Sequence, residues 1–270
     1  MIIGNREFDL KNKTYIMGIL NATPDSFSDG GKWNECDIAL RHVETMLSEG
    51  ADIIDVGGES TRPGHTKVDE ALECARVIPI IEAIAKRFDV PISIDTYKAG
   101  VALQAIQAGA HLVNDIWGFK HDKAIADVVA KYDAACCLMH NREEAIYDDF
   151  MNDVVSDLQE SIDIALCAGV SSDKIMIDPG VGFAKSYEQN LEVINKLEEL
   201  GRLNIPVLLG TSRKSVIGLT LDLPVDERLE GTIATTVIGV MKGTSFVRVH
   251  DVEANKRAIQ MTEAVLYGQN

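Results

Sequence analysis

The chain has 270 residues, of which 46% are hydrophobic and 25% are charged, and its formal net charge at pH 7 is −16. This length is enough for one α/β barrel or for two smaller domains. The acidic balance excludes a general nucleic-acid-binding surface, which needs clustered Lys and Arg. It also means that local cations must capture any anionic substrate.

Cysteine usage and the lack of long apolar runs indicate the compartment. The count of 5 cysteines is odd, and their spacing forms neither a CxxC pair nor a metal motif. We therefore expect reduced, mostly core thiols in a cytoplasmic protein. The first residues lack a basic segment followed by an apolar run, and no apolar run approaches the ~18 residues of a membrane span, so neither a signal peptide nor a transmembrane helix is predicted.

Residues 1–13 predict a short β-hairpin around the turn Gly4-Asn5, which we expect to cap the rest of the fold. Buried strands then alternate with helices to the end of the chain. Helical periodicity is predicted over 36–47, 68–87, a short segment before Gly109, 121–131, 149–168, 187–200, 228–241 and 251–266. Strands are predicted at 14–20, 51–56, 91–94, 111–113, 134–139, 174–177, 206–209 and 245–247.

This alternation predicts a parallel sheet, and eight strand–helix units in about 250 residues fit a (β/α)8 TIM barrel. An open doubly wound sheet is the rival, but no GxGxxG follows the first buried strand. We predict one α/β domain over residues 1–270, a TIM barrel with a short N-terminal β-hairpin. Its active site is expected at the C-terminal ends of the strands.

Polar residues begin where nearly every predicted strand ends. Two long loops, 21–31 and 57–64, are rich in Asn, Asp, Ser, Thr, Gly and Pro, which favour turns. Each loop alone could be an ordinary surface connection. The recurrence of reactive side chains at successive strand ends favours a shared site instead.

One group of these residues suits an anion. Arg62, Arg248 and His250 are cationic or can become so, and Arg forks match phosphate oxygens. Asn21 and Thr61 can add neutral hydrogen bonds, and Asn21 can ligate Mg²⁺ already held by a phosphate. A salt-bridged barrel rim is the alternative role for Arg248 and His250.

A second group, Asp95, Asn114, Asp178 and Lys214, could recognise a flat, nitrogen-rich ring. A carboxylate accepts two N–H bonds from an amino-pyrimidine edge, Asn donates and accepts, and Lys donates to a ring oxygen. Other roles remain open for each residue. Asp178 could be a turn residue, Asp95 a helix cap, and Lys214 a Schiff-base nucleophile if its pKa is depressed.

Five motifs carry a resemblance to a known family. They are NATPDSFSDGG at 21–31, GGESTRPG at 57–64, DPGVGF at 178–183, TSRKS at 211–215 and RVHD at 248–251. Together they resemble the dihydropteroate synthases, over nearly the whole chain. The first two motifs are highly specific, whereas DPGVGF alone would be weak.

The resemblance implies a transferase that joins 6-hydroxymethyl-7,8-dihydropterin diphosphate to 4-aminobenzoate, forming 7,8-dihydropteroate and diphosphate. It also implies Mg²⁺, a homodimer, and no nucleic-acid or membrane partner. It places the pterin on Asp95, Asn114, Asp178 and Lys214, the diphosphate on Asn21, Arg62, Arg248 and His250, the aminobenzoate on Phe27, Thr61, Pro63, Phe183 and Ser215, and the metal on Asn21.

The chemistry of this reaction assigns catalytic roles. Departure of diphosphate leaves a benzylic-type cation on the pterin methylene, which Asp29 and Asp95 are suited to stabilise. Arg248 would neutralise the leaving group, and Lys214 completes the expected catalytic set. We then expect Arg248→Ala to weaken diphosphate binding while sparing a pterin without phosphates.

Two other functions use part of the same residue set. The methyltetrahydrofolate-binding barrel of a corrinoid methyltransferase would keep the Asp and Asn contacts, but it does not need the cations near Arg62 and Arg248. A non-catalytic pterin-binding homologue would lack loop residues, and none to which a role is assigned is missing here.

Overall fold

The computed structural model describes residues 1–22, 32–59 and 67–268, and in them eight parallel strands follow an antiparallel hairpin. The polar strand ends of the sequence all lie on the barrel formed by these eight strands. The hairpin consists of β1 Ile2–Ile3 and β2 Arg6–Glu7. The barrel strands are β3 Tyr15–Asn21, β4 Ile53–Gly57, β5 Ile92–Asp95, β6 Leu112–Asp115, β7 Ala135–Met139, β8 Ile175–Asp178, β9 Leu208–Leu209 and β10 Phe246–Val249.

Neighbouring strands pair in chain order, and β10 pairs back onto β3. The remaining gap, between β8 and β9, is closed by a parallel bridge from Ile177 to Val207. This closure confirms the predicted α/β class and the TIM barrel.

Helices surround the barrel and bury their apolar faces against its outer side. Asp69 caps α2 by accepting from Leu72 N over 2.8 Å, and Ser186 and Gln189 form a capping box on α6. The helices are α1 Lys32–Ser48, α2 Glu70–Arg87, α3 Ala99–Gln107, α4 Ala124–Lys131, α5 Phe150–Cys167, α6 Tyr187–Asn195, α7 Ser215–Leu221, α8 Leu229–Met241 and α9 Val252–Tyr267.

Two helical segments differ from the sequence prediction. The helix predicted over 187–200 ends at Asn195 and continues as the 3-10 helix Leu197–Leu203. The short α7 was not predicted, because seven residues are too few for a clear helical period.

The barrel interior is apolar at one end and polar at the other. At the N-terminal end, inward residues such as Met17, Ile53 and Phe246 pack together with Ile3 and Phe8 of the hairpin. The hairpin therefore caps the N-terminal end of the barrel, as the sequence predicted. Towards the C-terminal end, Asp55, Asp95, Asn114 and Arg248 project into the barrel in place of apolar side chains.

The predicted apolar segment 228–241 forms α8, which packs beside α9. Its inner face is made of small and hydroxyl residues, Thr232, Thr236 and Gly239 among them. Ile238 and Met241 remain exposed. Of the helices in the described parts of the chain, none combines the length and apolarity needed to span a bilayer.

Candidate active site

A buried ion network fills the C-terminal end of the barrel. Arg248 on β10 donates from Nε to Asp55 Oδ2 over 2.6 Å and from Nη2 to Asp95 Oδ2 over 2.7 Å. Asn114 on β6 lies within 3.5 Å of the same Asp55 oxygen through Nδ2. The structure thus brings together three residues that the sequence assigned to substrates and adds Asp55, which it had not.

Asp178 and Lys214 lie near Gly210, beside Arg248 of the same cluster. A Cβ placed on Gly210 would lie 3.4 Å from Asp178 Oδ2 and 3.8 Å from both Lys214 Nζ and Arg248 Cβ. These three side chains therefore converge at Gly210. Lys214 Nζ also donates to Val181 O over 2.6 Å and lies 4.9 Å from the centroid of the Phe183 ring.

Burial dominates the titration of these groups. It raises the pKa of Asp95 to about 7, although the neighbouring Arg248 opposes the shift, and it raises the pKa of Asp178. It lowers the pKa of Lys214 to about 8, with Asp178 opposing. Burial would also lower the pKa of Arg248, but Asp55 and Asp95 outweigh it and raise that pKa.

Two buried acceptors at this site lack a hydrogen-bond partner within the described residues. They are Asp55 Oδ1 and Asp95 Oδ1. Because buried polar atoms are nearly always paired, these two unpaired oxygens indicate a ligand with N–H donors. An aminopyrimidine ring presents such donors.

The remaining predicted site residues lie around the mouth or outside the described chain. Asn21 ends β3 and is exposed, as is Ser215 at the start of α7. Phe183 is half-buried against the cluster of Tyr97, Ile116 and Met139. His250 Nδ1 lies 2.9 Å from Ser212 Oγ. The assignments to Phe27, Asp29, Thr61, Arg62 and Pro63 fall on residues outside the described ranges.

A second ion cluster lies where β4 leads into the loop at 57–64. Lys98 Nζ donates to carboxylates of both Glu59 and Glu73, and Tyr97 Oη donates to Glu59 Oε1 over 3.0 Å. Both glutamates are buried. The cluster fixes the backbone at Glu59, directly before the segment that carries Arg62 in the sequence.

The donor set at the mouth fits Mg²⁺ that arrives with a phosphorylated ligand. Asn21 offers one neutral oxygen at an exposed strand end, and Mg²⁺ commonly combines one or two protein oxygens with phosphate oxygens and water. Among the described residues, no cluster of three or more His, Cys, Asp or Glu side chains is arranged to hold a metal ion.

Sequence reasoning overlooked Asp55 and, on the far side of the site, His140, Asp157 and Lys185. Asp55 had a usable signal, since a carboxylate inside an apolar barrel strand faces the interior two residues after Ile53. The other three are brought together by the helix α5 and by the connection between β8 and α6, which spacing alone does not reveal.

The fold and this cavity define an α/β-barrel enzyme whose site lies at the carboxyl ends of its strands. The sequence matches the family described as "Pterin binding enzyme" over residues 17–250. The chain belongs to this family, and its relatives at high identity are dihydropteroate synthases.

Three similar proteins illustrate this. The dihydropteroate synthase of Clostridium beijerinckii is 61% identical over 267 residues, which cover 98% of this chain and 99% of the relative. The crystal structure of the Clostridium difficile dihydropteroate synthase in the presence of pteroic acid matches with a TM-score of 0.94 and 54% identity, covering 97% of this chain and 100% of that one. The Xanthomonas albilineans dihydropteroate synthase with 4-aminobenzoic acid matches with a TM-score of 0.92 and 40% identity, covering 97% and 96%. The resemblance predicted from the five motifs is confirmed.

Proposed function

We propose that this chain condenses 6-hydroxymethyl-7,8-dihydropterin diphosphate with 4-aminobenzoate to give 7,8-dihydropteroate and diphosphate. The observation that carries the proposal is the buried cluster of Asp55, Asp95, Asn114 and Arg248, in which two carboxylate oxygens lack a partner among the described residues. The relatives add support, since the Clostridium difficile structure was determined in the presence of pteroic acid and the Xanthomonas albilineans structure with 4-aminobenzoic acid.

The cavity suits a pterin ring. Asp178 and Asp95 supply acceptors for the ring's amino and N–H groups, Asn114 can donate and accept, and Lys214 can donate to the ring oxygen. A buried site of this kind discriminates strongly, because a ligand lacking one donor leaves an oxygen unpaired.

The leaving group then lies towards the mouth. Arg248 and His250 on β10 are suited to hold the diphosphate, together with Asn21 and Arg62. When bound at Asn21, Mg²⁺ would neutralise negative charge on the departing diphosphate. Arg248 would also keep Asp95 ionised through the bond at 2.7 Å, so that Asp95 can face developing positive charge on the pterin methylene.

The second substrate completes the reaction. The C–O bond to diphosphate breaks, the arylamine nitrogen of 4-aminobenzoate forms the new C–N bond to the methylene carbon, and the amine loses one proton. Asp29 and Asp95 would stabilise the intervening cation, and Lys214 and Arg248 would hold the reacting pterin and its leaving group. The aminobenzoate would lie near Phe183 and Ser215, with Phe27, Thr61 and Pro63 contributing from the two loops.

We further propose a cytoplasmic homodimer. Exposed apolar side chains on α8 and α9, including Ile238, Met241, Met261 and Val265, support an interface formed by these neighbouring helices. All five cysteines are free thiols, which suits a reducing compartment. Sedimentation analysis of Met241→Asp against the unchanged chain tests the interface, since a charge there should shift the protein towards monomer.

Diphosphate release tests the reaction directly. The enzyme is incubated with Mg²⁺ and the pterin diphosphate, with and without 4-aminobenzoate, and diphosphate and 7,8-dihydropteroate are quantified. We expect equal amounts of both products only when 4-aminobenzoate is present. A chain that binds pterins but releases no diphosphate would instead match a non-catalytic homologue, and methyl transfer from methyltetrahydrofolate to a corrinoid would match the methyltransferase.

A further inference from the structure

A row of three polar side chains supports the loop 178–183 from behind. Its members are Asp157 on α5, His140 after β7, and Lys185 before α6. His140 Nε2 lies 3.0 Å from Asp157 Oδ2, and Lys185 Nζ lies 2.7 Å from His140 Nδ1. His140 is 1% exposed, so its ring is shielded from solvent.

Burial and hydrogen bonds set the protonation states of His140 and Asp157 at pH 7. It lowers the pKa of His140 to about 4, so the ring is neutral at pH 7. Burial alone would raise the pKa of Asp157, but hydrogen bonds from His140 and Arg142 lower it, and the carboxylate stays ionised. An ionised Asp157 assigns the ring hydrogen to Nε2, and His140 Nδ1 therefore accepts from Lys185.

Lys185 uses its other donors on the loop itself. Its Nζ donates to Gly180 O over 3.0 Å and to Phe183 O over 3.1 Å. Together with His140 Nδ1 these acceptors match the three N–H donors of the protonated Lys185 ammonium group. Burial lowers the pKa of Lys185 to about 7, with Asp178 opposing the shift. One residue of this backbone is strained, because Ala184 has a positive φ of 41°, which residues other than glycine rarely adopt.

The same loop holds two of the groups that face the pterin cavity. Gly180 N donates to Asp178 Oδ1 over 2.7 Å, and Val181 O accepts from Lys214 Nζ over 2.6 Å. His140 adds a backbone bond to the loop, from its N to Asp178 O over 2.8 Å. A shift of the segment 180–183 would therefore move an Asp178 oxygen and the Lys214 ammonium together.

We propose that Lys185 is a positioning residue for pterin recognition, acting through Gly180 and Phe183 with His140 and Asp157 behind it. This inference rests on the proposed function, because it specifies how one side of that pterin site is held. Lys185 does not contact the substrate. Its contribution lies in the placement of Asp178 and Lys214.

Lys185→Met tests the proposal, since it keeps the length of the side chain and removes all three donors. We expect KM for the pterin diphosphate and Kd for pteroic acid to rise about tenfold, while kcat at saturating pterin changes less than about threefold. The control is Lys174→Met, which also removes a lysine that donates to a backbone carbonyl, Asp133 O, away from the site. Lys174→Met should leave both constants unchanged. Pteroic acid binding in Lys185→Met equal to that of the unchanged chain would overturn the proposal.

Two substitutions of His140 separate the halves of the row, and they carry the test if Lys185→Met does not fold. His140→Asn places an amide oxygen near the former Nδ1 and retains an acceptor for Lys185. His140→Gln places its amide near the former Nε2 and retains the Asp157 contact instead. We expect His140→Gln to weaken pteroic acid binding more than His140→Asn, and the reverse order or equal effects would contradict the proposal. Failure of the proposed function would look different, because the unchanged chain would then release no diphosphate while these binding constants remain measurable.

Discussion

Arg248 and Asp95 are joined across the barrel interior by a hydrogen bond of 2.7 Å, although their strands are not neighbours in the sheet. Burial raises the pKa of Asp95 to about 7 even with this guanidinium beside it. The charges of Arg248 and Asp95 are therefore coupled. A change in Arg248 alters the charge of Asp95 as well as the binding of an anion.

This relationship changes the result expected for Arg248→Ala. Without the guanidinium, Asp95 should become protonated at neutral pH, and Asp55 would lose its strongest partner. We now expect both pteroic acid and pterin diphosphate to bind at least about tenfold more weakly. Calorimetry with both ligands measures this. Unaltered pteroic acid affinity would show that Arg248 serves the diphosphate alone, as the sequence first indicated.

Asp178→Asn tests the proposed contact between Asp178 and the pterin ring. The substitution replaces an acceptor with an amide donor in a buried pocket, at a cost of about 1–3 kcal/mol, or roughly 5- to 150-fold in affinity. Pteroic acid titration provides the measurement. Asp173→Asn is the matched control, since Asp173 is exposed and distant from the cavity in the described structure. Affinity within twofold of the unchanged chain would exclude Asp178 from pterin recognition.

The pH dependence of pterin binding should be bell-shaped. Asp95, with a pKa of about 7, gains its charge as the pH rises, and Lys214, with a pKa of about 8, loses its charge as the pH rises further. Affinity for pteroic acid should thus be greatest between about pH 7 and pH 8. Lys214→Arg should remove the alkaline decline, because Arg stays charged. A profile that is flat between about pH 6 and pH 10 would contradict both assignments.

Lys98 should be important for stability. Lys98→Met would remove the ammonium group that bonds to both buried carboxylates, Glu59 and Glu73, at a cost of about 3–5 kcal/mol in the free energy of unfolding. Urea denaturation at neutral pH measures the loss. Adding Glu73→Gln to Lys98→Met removes one unpaired charge and should recover part of it. Equal stability of the unchanged chain and Lys98→Met would mean that the cluster contributes nothing net.

The cysteines should differ sharply in reactivity. Cys136 and Cys137 are fully buried on β7, and burial raises the pKa of both thiols. Cys167 at the end of α5 is exposed. A maleimide should label Cys167 within minutes and reach Cys136 and Cys137 only after unfolding, as peptide mapping by mass spectrometry would show. Equal labelling of all three in the native protein would mean that β7 opens readily.

The fold could be predicted from the chain because each barrel strand is a short apolar run that ends in polar residues. The main error concerned the residues at which three strands end. β5, β6 and β8 extend through Asp95, Asp115 and Asp178, whereas the predicted strands stopped before these polar residues. The polar residues predicted the start of a loop. An Asp whose side chain points into the barrel can nevertheless pair with the neighbouring strand through its backbone.

Parts of the site could not be predicted because they depend on packing between distant segments. Arg213 is next to Lys214 in the sequence, but in the structure its side chain pairs with Asp251 through two bonds of 3.1 and 2.6 Å. Burial, together with Arg248, lowers the pKa of Lys214. Side chains that are adjacent in the sequence need not point to the same site, and here the backbone at Arg213 has a φ of 59°.

The hairpin at the start of the chain closes the N-terminal end of the barrel. Ile3 and Phe8 fill its floor, so a ligand that reaches Asp95 must pass the rim near Phe183, and a product must leave by the same route. Of two ligands, the one that binds deeper in the barrel then has to bind first, and the second ligand covers it. A compound bound at the rim would slow the dissociation of a ligand bound deeper in the barrel. The dissociation rate of the deeper ligand would then report whether the rim is occupied.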